Sequence, residues 1–594
     1  MAAIIKALDS HVPTRVGKNG HSEHTWAQSV NVQESIVQLN TQCVRKGDVD
    51  TLSNVLRNIL KVLSVEKKDV AENANRVEML SLLYALIGQT RDITDGKGEY
   101  TLSYMMVLTW YEFFPELAEF AISMFVILIT DETNTHPYGS WKDIKYLCEY
   151  VKTKTGNANH PLILKSIQLM NEQLRVDTLS TSTVSLAGKW AARQGGSKFG
   201  WLFIISAEQY FHQYIESANR QPLEKRVESV KRATLKARTE YRKLCSALNK
   251  RLDTVQIKQC ANIWADIDHS KTTSITISKQ KKALMNVNKN GEQHSTRDDR
   301  IQCAQNFKSY IDGLSKEGKE VKGARVSFVD FTKSGLDIIL RMPSRDNYVD
   351  SSTQMQMDIL NSQWRDNGKQ TKTLGNMIAM VDTSGSMSGD PLNVAISLGI
   401  RIAEKSAIGK RIMTFTSTPS WVSLDGRNTF IDMLKVVSSA EWGGNTNFYA
   451  ALDLILNVIR SSYTITKSEC EDMVLVILSD MEVNSGDPNY VSTNLHSGIE
   501  SRYAKVGMDK FGEPIKPPHI LFWNLRSTSG FPTLSNQPNV STMSGFSPAL
   551  LNIFCEKGME ALQSCTPWGL LKESLEHPRY KMMCDKCIDV VLPK

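Results

Sequence analysis

The stretch Met377–Met387 reads MIAMVDTSGSM and decides how the fold is interpreted. Its first five residues are apolar and a polar, glycine-containing turn follows, which is the pattern of a buried strand of a parallel sheet. Asp382, Ser384 and Ser386 follow at alternate positions, D-x-S-x-S, at the carboxyl end of this strand, where open α/β sheets place their ligands. A carboxylate and two hydroxyl groups are hard oxygen donors, so the stretch predicts a site for a divalent cation such as Mg²⁺.

Two later segments fit the same site. Trp442–Asn447 is a glycine-rich loop that carries a threonine hydroxyl, and Met473–Asp480 is a second buried-strand pattern that ends in aspartate. The predicted metal ligands are therefore Asp382, Ser384, Ser386, Thr446 and Asp480. An alternative is that the first two residues only cap the helix that follows them, and that the last one only ends its strand.

The C-terminal part of the chain alternates strand and helix patterns, as a doubly wound α/β sheet requires. We predict an α/β domain over residues 376–565, preceded by a bridge over 326–375 that contains a possible strand at Val326–Phe331. Residues 566–594 are predicted to dock back on the body. The predicted strands are Asn376–Val381, Arg411–Phe415, Met473–Leu478 and His519–Asn524. The predicted helices are Leu392–Lys405, Asn428–Val437 and Phe448–Arg460.

Before residue 325, apolar residues recur at helical spacing in one segment after another, with short breaks and no strand alternation. This pattern favours an all-helical, HEAT-like repeat domain over residues 31–325, after a polar lead-in over 1–30. No clean repeat period is present, so the prediction depends on the number of helices.

Two segments of the helical region are strongly basic. Ser185–Lys198 combines a tryptophan with cations and glycines, and Arg220–Arg251 carries eleven Lys or Arg against three Glu. Cations can follow phosphates and an aromatic ring can stack on a base. We therefore predict nucleic-acid contacts by Lys189, Trp190, Arg193, Lys198, Lys225, Arg226, Lys231, Arg232, Lys236, Arg238, Arg242 and Lys243. The alternative is an ordinary loop with a core tryptophan, next to a helix whose charges are merely solvated.

The composition is that of a globular protein, with 41% hydrophobic and 22% charged residues among 594. A net charge of +7 permits a nucleic-acid partner without requiring one. The ten cysteines are scattered as reduced thiols would be. Cys584 and Cys587 form the one tight pair, which together with Cys555 and Cys565 matches no standard zinc ribbon, so we expect buried free cysteines.

The longest apolar run, Phe120–Ile129, falls well short of the roughly 20 residues that span a bilayer. The first residues are too soon interrupted by charge for a signal sequence. We therefore expect a soluble, cytoplasmic protein without a membrane partner, which argues against an extracellular adhesion role for the metal site.

The ligand pattern resembles the metal-ion-dependent adhesion site (MIDAS) of von Willebrand factor A domains. Together with the helical region, the chain is similar to Ro (TROVE-like) proteins, in which a ring of helical repeats is closed by such a domain. Further motifs resemble those of the family DUF2828. They are Asp95–Glu99 (DGKGE), Tyr138–Asp143 (YGSWKD), Ser185–Trp190 (SLAGKW), Tyr241–Leu244 (YRKL), Phe522–Arg526 (FWNLR) and Ser544–Ser547 (SGFS).

The resemblance implies a non-catalytic RNA-binding protein with a divalent cation. In the Ro fold, a basic hole takes single-stranded RNA ends and an outer basic face holds structured RNA. The five metal residues carry over, whereas the RNA contacts cannot be matched residue by residue. The alternative function is a protein–protein interaction module whose metal captures an acidic partner's carboxylate. No catalytic motif is recognised, although Glu482 adds a carboxylate near Asp480, and metal-assisted hydrolysis is a third hypothesis.

Overall fold

The computed structural model describes residues 11–18, 20–28, 31–127, 136–342, 349–440, 442–444, 447–482, 495–554 and 559–592. The chain forms two compact units. The first, called here the α/β unit, comprises Met1–Leu86, Asp95–Lys97 and His269–His577. The second, called the helical unit, comprises Ile87–Thr94, Gly98–Asp268 and Pro578–Lys594.

The described part of the helical unit contains helices and no strand. Most of these helices have buried apolar residues at helical spacing, as the sequence predicts. Their bounds are Tyr100–Tyr111, Pro115–Val126, Lys142–Thr155, Pro161–Leu179, Ala187–Trp190, Gly200–Tyr210, His212–Asn219, Leu223–Leu252, Val255–Ala261 and Lys581–Val591. The helix Val70–Arg91 contributes its last residues to this unit.

Two buried ion pairs hold the helical unit together. The Arg91 guanidinium makes two hydrogen bonds of 2.7 Å to the Asp143 carboxylate, so the YGSWKD motif has a packing role. The Arg579 guanidinium binds the fully buried Asp92 in the same two-pronged way, with an Nη2–Oδ1 distance of 2.7 Å. Tyr580 adds a hydroxyl hydrogen bond of 3.0 Å to Asp92. The segment that begins at Pro578 is therefore anchored within this unit.

The α/β unit is built on a six-stranded sheet with the order β5-β4-β3-β6-β7-β8. Four of its five neighbouring strand pairs are parallel, and the fifth pairs β5 antiparallel to β4 at one edge. A separate hairpin, β1 and β2, lies in the predicted polar lead-in. The strand bounds are β1 (Thr14–Val16), β2 (Ser22–His24), β3 (Met377–Asp382), β4 (Arg411–Phe415), β5 (Ser420–Ser423), β6 (Val474–Ser479), β7 (His519–Asn524) and β8 (Val540–Ser544).

Helices cover both faces of the sheet. In β3, Met377, Ala379 and Val381 enter one apolar core, while Ile378 and Met380 enter the other, as a strand buried on both faces requires. The helix bounds are Val32–Gln42, Val49–Leu63, Val70–Arg91, Ser274–Leu284, Asp298–Lys316, Phe328–Arg341, Ser351–Gly368, Asp390–Lys405, Phe430–Ser438, Phe448–Ser461, Lys467–Glu471, Leu495–Phe511, Met559–Gln563 and Pro567–Leu575. The predicted fold class, a helical region followed by an α/β domain, is confirmed.

The predicted strand at Val326–Phe331 is wrong, because this segment begins the helix Phe328–Arg341. Ser327 caps the helix by accepting a 3.1 Å hydrogen bond from the Asp330 amide. Phe328 and Phe331 share one helix face and pack against Trp364 at ring-centroid distances of 5.4 and 5.1 Å. The apolar spacing of three residues was therefore a helical signal rather than a strand signal.

Candidate metal centre and basic surface

Parallel pairing of β3 with β6 brings the predicted metal ligands together. Val381 is opposite Leu478 in the register, so the next residues, Asp382 and Ser479, lie side by side at the carboxyl edge of the sheet. Asp480 follows directly. Both aspartates are fully buried and Ser384 is 2% exposed. The two carboxylates are therefore shielded from bulk solvent.

Asp382 is held by the protein through both carboxylate oxygens. Its Oδ1 accepts a 2.9 Å hydrogen bond from the Ser384 amide, and its Oδ2 accepts a 2.6 Å bond from the Ser479 hydroxyl. The hydroxyl oxygens of Ser384 and Ser386 lie 3.1 Å apart. This arrangement suits an Asp382 that acts through a water molecule, beside two serine hydroxyls that can ligate directly.

The hydrogen bonds of the Asp480 carboxylate test whether this site suits a cation. Its Oδ1 accepts a 3.1 Å hydrogen bond from the Glu482 amide. Its Oδ2 is buried and has no hydrogen-bond partner among the residues that the structure describes. Leaving a buried carboxylate oxygen without a partner costs free energy that a bound cation would recover. The residues present therefore fit a hard divalent cation.

The raised pKa values of Asp382 and Asp480 also favour a bound cation. Burial raises the pKa of Asp382 to about 6, and the negative charge of Asp480 adds to the rise. Burial also raises the pKa of Asp480, with the Ser386 hydroxyl acting against the rise. Two carboxylates that are difficult to ionise together become easy to ionise once a cation lies between them.

The glycine-rich loop is tied to the same turn. The Gly443 amide donates a 2.8 Å hydrogen bond to the Thr383 carbonyl, and the Gly385 amide donates a 3.3 Å bond to the Gly444 carbonyl. Gly443 and Gly444 have φ values of +95° and +78°, which only glycine adopts freely. Thr446 lies outside the described residues, so its role as a ligand stays a prediction.

No group of three or more His, Cys, Asp or Glu suited to a metal occurs in the described parts of the chain. The predicted metal site contains only two such residues, Asp382 and Asp480, and its other predicted ligands are hydroxyl groups. Of the four cysteines considered for zinc, Cys565, Cys584 and Cys587 form no disulfide among the described residues, and Cys555 lies outside them.

Two residues of this site were not predicted from sequence. Ser479 orients Asp382, and Arg526, two residues after β7, donates from Nη1 to the Ser386 carbonyl oxygen. Ser479 could have been found, because in a parallel sheet the residue before Asp480 must lie beside the end of β3. Arg526 carries no such signal, since its position depends on the order of the strands in the sheet.

We expect Ser479→Ala to lower the affinity for Mg²⁺ about tenfold, because residues that orient a metal's ligands contribute by this amount. Isothermal titration of Mg²⁺ into the purified chain measures the change. Ser501→Ala is the matched control, since Ser501 is exposed and its hydroxyl donates to the Ser497 carbonyl of its own helix. Equal affinity in wild type and Ser479→Ala would contradict the assignment.

In the helical unit, the predicted basic loop forms a surface together with an earlier helix. The ammonium of Lys145 lies 5.1 Å from the ring centroid of Trp190, 5.0 Å from that of Phe199 and 5.9 Å from that of Tyr146. The ammonium of Lys198 lies 5.4 Å from the ring centroid of Tyr146 and 5.5 Å from that of Phe199. We call Lys145, Tyr146, Lys189, Trp190, Arg193, Lys198 and Phe199 the basic–aromatic patch.

The cations of this patch lack neighbouring carboxylates. Among the described residues, Lys145, Lys189, Arg193 and Lys198 form no ion pair. Burial lowers the pKa of Lys145, and the positive charges of Arg193 and Lys142 lower it further. Burial also lowers the pKa of Lys189. These cations repel one another, so a bound anion would relieve the repulsion.

The remaining candidates lie on the helix Leu223–Leu252, called here the basic helix. Its buried face carries Ala237, Tyr241 and Cys245. The opposite face presents five exposed cations in steps of seven or four residues, namely Lys225, Arg232, Lys236, Lys243 and Lys250. Arg226, Lys231 and Arg242 are also exposed, whereas Arg238 is half-buried and binds Glu208 at 2.7 Å.

Arg232 and Lys243 make ion pairs of 3.0 Å with glutamates of the basic helix itself, Glu228 and Glu240. Exposed pairs of this kind contribute little free energy and can exchange for another anion. The prediction is therefore weakest for Arg238, whose partner comes from another helix.

Comparison with known proteins gives a family match for one part of the chain. Residues 376–579 match DUF7788, a domain of unknown function. This range contains all six strands of the sheet and all five predicted metal ligands. The matching family is thus DUF7788 rather than the expected DUF2828, and the von Willebrand factor A assignment stays a prediction.

An uncharacterized protein of Acanthamoeba polyphaga mimivirus is 28% identical over 505 residues, covering 81% of this chain and 77% of its own length. Among solved structures, the Ro (RSR) protein of Deinococcus radiodurans matches with a TM-score of 0.33 and 11% identity, over 92% of this chain and 99% of that chain. In the part of the chain that the structure describes, no helix has the length and apolar character to cross a membrane.

Proposed function

We propose that the chain is a non-catalytic RNA-binding protein and that the helical unit holds the RNA. The observation that carries this proposal is the basic–aromatic patch, in which Lys145, Lys189 and Lys198 lie within 6 Å of an aromatic ring centroid and none of the four cations forms an ion pair in the described part of the chain. Cations release counterions from phosphates, which gives affinity without sequence specificity. Half-buried rings offer stacking platforms for unpaired bases. The combination favours single-stranded RNA over an acidic protein.

The basic helix carries a second set of cations in the same unit. Its C-terminal half packs on the loop of the patch, where Asn249 donates a 2.6 Å hydrogen bond to the Gly188 carbonyl. Its line of five exposed cations spans 25 residues, which corresponds to roughly 37 Å at about 1.5 Å per helical residue. A line of this length can contact several phosphates of one strand.

The test is the salt dependence of binding to a fluorescent oligouridine of about 20 nucleotides, which is long enough to cover such a surface. The variant Lys145→Gln, Lys189→Gln, Arg193→Gln and Lys198→Gln removes four cations. We expect the slope of log affinity against log salt to fall by about 0.7 per lost contact, or roughly 3 in total. Weaker binding at every salt concentration is the accompanying expectation.

A matched control removes four exposed lysines of the α/β unit by Lys61→Gln, Lys67→Gln, Lys68→Gln and Lys279→Gln. Because it changes the net charge equally, the control separates a local contact from a general charge effect. An equal loss of affinity in both variants, or no binding by wild type at moderate salt, would overturn the proposal.

A second function is favoured by the unpartnered Asp480 oxygen. The α/β unit is proposed to be a protein-interaction module that holds a divalent cation through Ser384, Ser386 and Asp480, with Asp382 acting through water and Thr446 as a fifth ligand. The cation, when bound, supplies a positive charge with a position open to an outside oxygen. RNA binding that is unchanged in Asp382→Ala would assign the two sites to separate partners.

A further inference from the structure

Arg526 is a cation at the carboxyl edge of the sheet that the metal-site pattern does not explain. Its position is fixed by the backbone, because the Leu525 amide donates a 3.1 Å hydrogen bond to the Ser479 carbonyl. The Arg526 amide donates a 3.2 Å bond to the buried Asn524 side chain. The turn after β7 is thus tied to the end of β6, directly before Asp480.

The guanidinium of Arg526 is exposed and has unused donors. Its Nη1 donates to the Ser386 carbonyl, and no carboxylate lies within ion-pair distance among the described residues. A guanidinium has five N–H donors in a planar fork that matches the two oxygens of a carboxylate. A group fixed beside Ser386 with a free fork can therefore receive an anion that approaches the predicted cation.

Three other cations near this edge have carboxylate partners, and a fourth, Lys97, is buried against the Asn40 carbonyl and the Ser544 hydroxyl. Lys18 pairs with Glu482 at 3.1 Å, and Lys46 and Lys333 pair with Asp390 at 3.3 and 2.6 Å. The edge is thus no extended positive surface of the kind that a polyanion needs. One free guanidinium suits one isolated carboxylate better than an RNA backbone.

We propose that Arg526 is the specificity-determining residue of the metal centre, and that it binds the carboxylate of a partner's Asp or Glu side chain when this carboxylate reaches the open metal position. This inference depends on the second proposed function. It adds that the site selects an anionic oxygen ligand over a neutral one, such as a hydroxyl or an amide carbonyl.

The experiment uses Mn²⁺ as the metal and acetate as the carboxylate probe. Free Mn²⁺ is measured by electron paramagnetic resonance, and broadening of the acetate methyl proton line reports acetate close to bound Mn²⁺. We expect Arg526→Gln to bind Mn²⁺ at least as well as wild type, and to reduce the excess broadening about tenfold, since hydrogen bonds to charged groups contribute this much. Arg526→Lys restores part of it, because lysine keeps the charge but not the fork.

Asp480→Asn is the reference variant and is expected to lose both signals. If Mn²⁺ binds and acetate broadening is equal in wild type and Arg526→Gln, the role of Arg526 is overturned and the metal site stands. If Mn²⁺ does not bind to wild type, the metal site and this inference both fall, while the RNA proposal is untouched. If inorganic phosphate shows Arg526-dependent line broadening and acetate does not, the carboxylate partner is overturned.

Discussion

Arg579→Ala lowers the free energy of unfolding of the helical unit by about 3–5 kcal/mol, because it leaves the Asp92 carboxylate charged and buried without its partner. Asp92 is fully buried and Arg579 is 4% exposed, so the carboxylate has little access to bulk solvent once the guanidinium is removed. Hydrogen exchange followed by mass spectrometry in increasing denaturant gives this free energy for peptides of each unit separately. Peptides from the helix Lys142–Thr155 should lose protection while those from β3 keep it.

Two variants make the result specific. Lys586→Ala breaks an ion pair with Glu116, which is 64% exposed, and should cost less than about 1 kcal/mol. The double variant Asp92→Leu, Arg579→Met removes both charges and should recover most of the lost stability, since apolar residues of similar size often replace a buried pair well. Equal losses for Arg579→Ala and Lys586→Ala would refute the assignment.

Asp382→Asn stabilises the metal-free chain at pH 7 and abolishes its stabilisation by Mg²⁺. The folded-state pKa of Asp382 is raised to about 6, so the folded state binds this proton more tightly than the unfolded state does. The stability that this group contributes is present below the unfolded pKa of about 4 and is lost as the pH rises through about 6. The folded-state and unfolded-state pKa values of Asp382 differ by about two units, which corresponds to a loss of about 3 kcal/mol in the free energy of unfolding once the group is ionised. Asparagine does not ionise, so the variant does not lose this free energy.

Thermal unfolding at pH 5 and pH 7.5, each with EDTA or with Mg²⁺, measures both effects. Without metal, wild type should be less stable at pH 7.5 than at pH 5. The contribution of Asp382 to this difference should be absent in Asp382→Asn. With Mg²⁺, wild type should gain stability according to its affinity, whereas the variant should not. Asp432→Asn is the control, because the Asp432 carboxylate accepts a 2.6 Å hydrogen bond from Thr429, which caps the helix Phe430–Ser438 and is not one of the predicted metal ligands. The capping alternative for Asp382 predicts instead no response to Mg²⁺ in either protein.

The strands of the sheet were predictable where glycine or proline marks the beginning of an apolar run. The strands Arg411–Phe415 and His519–Asn524 have the predicted bounds, since Gly409 and the two prolines before residue 519 mark where they begin. β8 was missed because its sequence, VSTMS, is rich in hydroxyl groups. These groups are buried through hydrogen bonds, such as the 2.9 Å bond between Ser541 and His519. Periodicity of apolar residues cannot detect a strand that is buried in this way.

The candidate sites were easier to predict where their residues lie close together in the sequence. Asp382 and Ser384 lie on one turn, and the alternating fold brings Asp480 to the same edge, so the pattern alone sufficed. In the basic–aromatic patch, Lys145 and Tyr146 precede Trp190 by more than forty residues. No spacing rule connects residues whose meeting depends on the packing of separate helices, and sequence reasoning found only the half of the patch that lies in one loop.

The division of the chain into units has a consequence for protein synthesis. The helical unit takes its residues from before and after His269–His577, the longest segment of the α/β unit, and the segment that carries Arg579 leaves the ribosome only after His577. Until then, Asp92 lacks the Arg579 guanidinium, and the nascent helical unit lacks the buried ion pair that these two residues form. We therefore expect ribosome-bound chains that end before residue 578 to expose the helical unit to proteases and chaperones, even when the sheet is already complete.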